Sequence, residues 1–173
     1  RAIKPYHKNF KTHKTALSHK VTTELDSLFY RALAFCKRND NIFGNRTTNS
    51  LLHRDLSNDN IIYDGEKIRL LDWEFSNYNF PEWDIVYFIE SQKLNDTLKN
   101  IFFKNYGYSN SRIAKKRLVI ISLLNTCGNI GYSVWRLGLI KQKKLKKTEK
   151  PAILRRLEQD IKLLKHIIED LEK

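Results

Sequence analysis

The stretch LLHRDLSNDNIIYDGEKIRLLDWEF, residues 51–75, decides how this chain is understood. It sets a carboxylate at Asp55, an amide five residues on at Asn60 and a second carboxylate at Asp72. Two strand-like runs, Asn60 to Tyr63 and Lys67 to Trp73, are joined by Asp64-Gly65. An Asp-Gly pair between apolar alternations predicts a tight hairpin with both turn residues at positive φ. Such a hairpin folds Asp72 back toward Asn60.

Those intervals suit phosphoryl transfer. The chemistry asks a protein for a carboxylate that orients an attacking hydroxyl, and for hard oxygen ligands that hold Mg²⁺ against phosphates. The order His-x-Asp, Asn five residues after that Asp, a strand pair, then Asp is the kinase arrangement. His53, Asp55, Asn60 and Asp72 occupy its four places. A lone His-x-Asp carries little weight, whereas four ordered positions around a hairpin are specific. The competing explanation is a surface loop rich in Asn and Asp that happens to precede a hairpin.

Working outward, residues 20–38 predict an amphipathic helix. Val21, Leu25, Leu28, Phe29, Ala32, Phe35 and Cys36 recur at steps of three and four. A polar connection fills 39–50, and a loop is expected over 74–80. Pro81 suits the first turn of a helix carrying Trp83, Ile85, Val86, Phe88 and Ile89. A further helix begins near Asn95 and stops at Gly107. The last runs from about Pro151, with Leu154, Leu157, Ile161, Leu164, Ile168 and Leu171 as a packed seam. Residues 118–135 hold no charge, which is just long enough for a membrane span. Ser122, Asn125, Thr126, Asn129 and Ser133 interrupt that stretch, so a core helix and no membrane span is the expectation.

Bulk properties set wider bounds. The chain has 173 residues, 41% of them apolar, with a formal charge of +13. That is length for one domain with a real core, taken as 1–173, with a basic, polar lead-in at 1–19 and the core over 20–173. The positive charge favours an anionic partner without choosing among nucleotide, nucleic acid and membrane surface. Cys36 and Cys127 form no metal-ligand spacing and fit buried free thiols in a reducing, cytoplasmic setting.

The segment from Leu51 to about Glu90 resembles the catalytic loop and choline kinase motif of the choline/ethanolamine kinase and aminoglycoside phosphotransferase superfamily, with bacterial choline kinases the most similar members. Protein kinases fit less well. Ser57 stands where they place a Lys, Asp72-Trp73-Glu74 replaces Asp-Phe-Gly, and Phe80 to Asp84 follows too soon for an activation segment. Aminoglycoside kinases tend to have Gly at the place of Glu74. The resemblance implies an α+β, predominantly helical C-terminal lobe of the protein-kinase-like fold, with a short β-hairpin carrying the metal loop. It implies ATP and Mg²⁺ as cofactors and a small amino-alcohol such as choline or ethanolamine as acceptor. Asp55 would be the catalytic base, Asn60 and Asp72 the metal ligands, and His53 and Asp84 supports of the loop. The family places an acid seven residues after Asp84 to face the substrate ammonium. Ser91 stands at seven and Glu90 at six. Glu90 remains a substrate-binding candidate, with Tyr87, Tyr132 and Trp135 as aromatic faces for a quaternary ammonium, and Trp83 beside them.

The other half of such an enzyme is not evident in the sequence. Its six glycines form no Gly-x-Gly-x-x-Gly, and nothing before residue 50 reads as five strands. Methionine is absent, including at position 1. The expectation is therefore a C-terminal lobe whose N-terminal lobe belongs to the same polypeptide, with little turnover by these residues alone. Two alternatives stand beside it: a degenerate kinase fold that binds a ligand, and a basic nucleic-acid-binding module built on Lys141, Lys143, Lys144, Lys146 and Lys147. No nucleic-acid-binding motif accompanies those lysines.

Overall fold

A computed structural model describes residues 10–44, 50–109 and 111–172. Residues 1–9 of the expected lead-in over 1–19, and 45–49 of the expected polar connection over 39–50, lie outside the described residues. The chain divides into two compact units. One takes the described residues up to Asp40 and those from Leu123 onward; the other is Asn41–Ser122.

The first unit is helical. Helix α1 (His19–Arg38) starts at Ser18, whose hydroxyl accepts from the Val21 N–H at 3.4 Å. It buries Leu25, Leu28, Phe29 and Ala32, the stripe that its spacing predicts. The core begins earlier than residue 20. Phe10 is wholly buried against Phe29, with ring centroids 5.2 Å apart. An aromatic residue among basic neighbours gains more from burial than the chain loses by ordering one more turn.

Helix α5 (Lys150–Glu172) packs on α1, and Glu172 accepts two bonds from the Arg31 guanidinium, at 3.0 and 2.5 Å. Its buried face is Ile153, Leu157, Leu164, Ile167 and Ile168, while Leu154 is exposed. A strict seven-residue seam drifts around a straight helix of 3.6 residues per turn, so the buried stripe shifts to its neighbours at 153 and 167.

The second unit holds four three-residue strands. β1 (Ser50–Leu52) pairs antiparallel with β4 (Asn77–Asn79), and β2 (Ile61–Tyr63) with β3 (Ile68–Leu70). β4 falls inside the expected loop over 74–80. Asn-Tyr-Asn has weak strand preference by itself, and its pairing partner lies 27 residues away in sequence, at Leu51 opposite Tyr78. The β2–β3 turn is also displaced by one residue. Asp64 and Lys67 pair through their backbones at 3.2 Å, so Gly65 and Glu66 are central. Only Gly65 has positive φ, at 99°, while the Asp64 carboxylate caps the N–H groups of Glu66 and Lys67. An aspartate that uses its side chain this way closes a turn without entering the left-handed region itself.

Helix α2 (Glu82–Ser91) follows Pro81, and α3 (Asp96–Tyr106) runs between an Asn95 cap and Gly107 at φ 72°. Helix α4 (Arg112–Lys141) contributes residues to both units. Among the described residues it is the one helix long and apolar enough to cross a membrane by length and composition, and 56% of its apolar window is buried within the chain. With five α-helices of ten residues or more and four three-residue strands among the described residues, the fold is predominantly helical.

Candidate functional site

The site lies in the second unit and is built on the hairpin. The Leu71 N–H donates to the Asn60 carbonyl at 2.9 Å, extending the β2–β3 ladder by one bond. Asp72 is therefore the next residue after a bond to Asn60, at φ 59°. A left-handed aspartate is uncommon, and here it ends the strand and turns the chain.

His53, buried to 1% exposure, ties the loop before Asp55 to that strand end. Its Nε2 lies 2.7 Å from the Leu71 carbonyl oxygen, and its Nδ1 lies 3.3 Å from the Asp55 backbone N–H. A carbonyl only accepts and an N–H only donates. These partners assign one neutral tautomer, with the proton on Nε2. The Trp73 ring covers the imidazole at a centroid distance of 4.6 Å.

Asp84 holds the same loop from α2. Its Oδ2 accepts the His53 N–H at 2.7 Å and its Oδ1 accepts the Arg54 N–H at 2.9 Å. Arg54 sits at φ 71°, a conformation that costs a non-glycine residue about 1–2 kcal/mol. The two amide bonds offset that cost. The Arg54 guanidinium in turn lies 4.2 Å from the Trp83 ring centroid. Trp83 is 8% exposed and stacked beneath a cation of its own chain, which removes it from the aromatic faces offered to a substrate.

The half-buried Asp55 carboxylate is held at both oxygens. Asn60 Nδ2 donates to Oδ2 at 2.9 Å, and to the Asp55 carbonyl at the same distance. The Tyr87 hydroxyl donates to Oδ1 at 2.6 Å. Further along, Ser91 Oγ donates to the Leu56 carbonyl at 2.9 Å. With its amide nitrogen spent on Asp55, Asn60 keeps its side-chain oxygen for another partner. The Asp72 carboxylate is exposed, and among the described residues no group donates to it. An amide oxygen and a carboxylate, held one residue beyond a shared backbone bond, fit a hard cation such as Mg²⁺ that keeps several waters. No cluster of three or more His, Cys, Asp or Glu residues suited to a metal occurs among the described residues.

The remaining candidates are divided between the two units. Glu90, half-buried on α2, accepts the Ser122 hydroxyl at 2.6 Å. Tyr132 and Trp135 belong to the first unit, with ring centroids 5.5 Å apart. Tyr132 lines a cavity of about 260 Å³ there, together with Ser133, Arg136, Glu149, Ile153 and Arg156. Arg136 pairs with Glu149 across it.

One buried network escapes sequence reasoning. Glu82, 2% exposed, accepts the Tyr108 hydroxyl at 2.8 Å and lies 3.8 Å from Arg117. Burial, reinforced by the Glu82 carboxylate, pushes the Tyr108 hydroxyl well above the ordinary phenol range. Arg117 also donates to the Ile42 carbonyl at 2.9 Å. Nothing in the spacing of 82, 108 and 117 signals that they meet.

The pattern of the phosphotransferase enzyme family (APH) matches residues 5–115. A protein LicA homolog of Metamycoplasma hominis is 37% identical over 68 residues, which cover 39% of this chain and 27% of that protein. The solved structure of choline kinase LicA from Streptococcus pneumoniae superimposes with a TM-score of 0.61 at 18% identity, over 94% of this chain and 55% of that one. A structure of LicA in complex with AMP matches equally well, at a TM-score of 0.61 and 18% identity, over 94% of this chain and 54% of the other. The chain thus spans about half the length of the solved structures it matches and a smaller part of the curated relative.

Proposed function

Because the chain belongs to the choline kinase and APH superfamily of phosphotransferases, we propose that it carries the phosphate-transfer half of a small-molecule kinase acting on an amino-alcohol such as choline or ethanolamine. The observation that carries this is the close joining of Asp55, Asn60 and Asp72 by the Asn60–Asp55 and Leu71–Asn60 bonds. Asp55 orients the acceptor hydroxyl and takes its proton as the new O–P bond forms and the bond to the leaving ADP oxygen breaks. Asn60 and Asp72 would hold Mg²⁺, which when bound would supply charge neutralisation to the phosphates. His53 and Asp84 keep the loop closed around the base. Glu90, in the same unit as Asp55, is the carboxylate offered to an ammonium. The nucleotide is covered by an N-terminal lobe in the same polypeptide, and the working enzyme is cytoplasmic.

The first test is calorimetric titration of ATP into the chain with and without Mg²⁺. Mg²⁺-dependent binding that Asp72→Ala abolishes is the expected result. Nucleotide binding indifferent to Mg²⁺, or salt-dependent nucleic-acid binding in its place, refutes the assignment. In the full-length protein, Asp55→Ala is expected to remove phosphotransfer to choline and ethanolamine. Full turnover by that variant refutes Asp55 as the base.

A further inference from the structure

The sequence offers Tyr87 as an aromatic face for a substrate, yet its hydroxyl is spent on Asp55. We propose that Tyr87 is a positioning residue that fixes the plane of the Asp55 carboxylate; this rests on the reading of Asp55 as the base.

The physical need is plain. The terminal torsion of an aspartate is broad and soft, so one bond to one oxygen leaves the carboxylate free to rock. Asn60 fastens Oδ2. The Tyr87 hydroxyl fastens Oδ1 at 2.6 Å, the short length of an O–H donor on a charged oxygen. Tyr87 suits the task because its rigid ring has two torsions and carries the donor at its far end.

Its neighbours on α2 strengthen the case. Asp84, Tyr87 and Ser91 follow at steps of three and four, so they share one helical face. Each bonds the catalytic loop in order: Asp84 to the N–H groups of His53 and Arg54, Tyr87 to the Asp55 side chain, Ser91 to the Leu56 carbonyl. The face is a row of fasteners matched residue by residue to 53–56. Tyr87 is the member that grips the reactive side chain itself. Each carboxylate oxygen has two lone pairs, so Oδ1 can keep Tyr87 and still accept the proton of an alcohol.

The test uses the full-length protein with Tyr87→Phe, which removes one oxygen, and Tyr87→3-fluorotyrosine, which keeps it. Steady-state phosphotransfer is measured with choline and Mg·ATP, and the Asp55 carboxylate orientation by high-resolution crystal structures of the wild type and both variants. Tyr87→Phe is expected to lower kcat about tenfold with both KM values within about twofold, and to set the carboxylate rocking. Tyr87→3-fluorotyrosine is expected to retain the wild-type values. A raised KM for choline with kcat preserved makes Tyr87 a substrate face and overturns the proposal, as does a rise in kcat or an unchanged single Asp55 orientation in Tyr87→Phe. A wild-type protein without turnover refutes the phosphotransfer assignment instead, and the Asp55 torsions in the two variants then decide the role of Tyr87 alone.

Discussion

Asp84→Ala tests how the loop bearing Asp55 is held. The carboxylate accepts two backbone N–H groups, at 2.7 Å from His53 and 2.9 Å from Arg54. Hydrogen bonds to a charged acceptor contribute about 1.5–3 kcal/mol each, and a half-buried site belongs at the lower end, so the pair is worth about 3 kcal/mol. Alanine deletes both acceptors while Arg54 stays at φ 71°. Asp84→Asn keeps one acceptor and turns an NH₂ toward the other N–H, so about half the loss is expected. The assay is urea unfolding followed by tryptophan fluorescence in a Trp135→Phe background, which leaves Trp73 and Trp83, both in the same unit as the loop. The expected order is wild type, Asn, Ala, with an unchanged slope. If Asp84→Ala falls within about 0.5 kcal/mol of wild type, the loop is held by something other than these two bonds.

Three further outcomes are expected. Tyr108→Phe leaves the buried Glu82 carboxylate without its 2.8 Å donor and should destabilise the chain by about 1–3 kcal/mol in denaturant titration. A Cβ at Gly138 would approach His13 Nδ1 to 2.4 Å and its Cβ to 3.1 Å, so Gly138→Ala should destabilise the wild type, and less so a His13→Ala background that keeps only the 3.1 Å contact. Its double-mutant cycle is measured by thermal unfolding. The Arg31 guanidinium holds the Glu172 carboxyl below its ordinary range. That contribution is present above the unfolded carboxylate pKa and lost as pH falls through the lower folded value, so Glu172→Gln should lower Tm at neutral pH and lose its effect in strong acid.

What was legible in the sequence was local. The α1 stripe, the Asn95 and Gly107 ends of α3, and a hairpin between Asn60 and Asp72 all follow from periodicity and turn chemistry within a few residues. The matched positions of His53, Asp55, Asn60 and Asp72 were visible for the same reason. The misses are the long-range partners. Leu51 finds Tyr78, Glu82 finds Tyr108 and Arg117, and Tyr87 finds Asp55 at a separation of 32 residues. No spacing rule encodes such meetings, because packing decides them after the helices and strands exist. Tyr87 illustrates the limit. Residue type suggested an aromatic face, and only the fold reveals that the hydroxyl is the part engaged.

His53 has a consequence for spectroscopy. Its ring donates from Nε2 to the Leu71 carbonyl and accepts at Nδ1 from the Asp55 N–H. The two nitrogens should therefore give separate ¹⁵N resonances, one pyrrole-like and one pyridine-like. Averaging of the two would mean that strand end and loop had parted. One buried imidazole thus serves as a built-in gauge of whether the loop bearing Asp55 and the turn bearing Asp72 are joined, legible without any ligand.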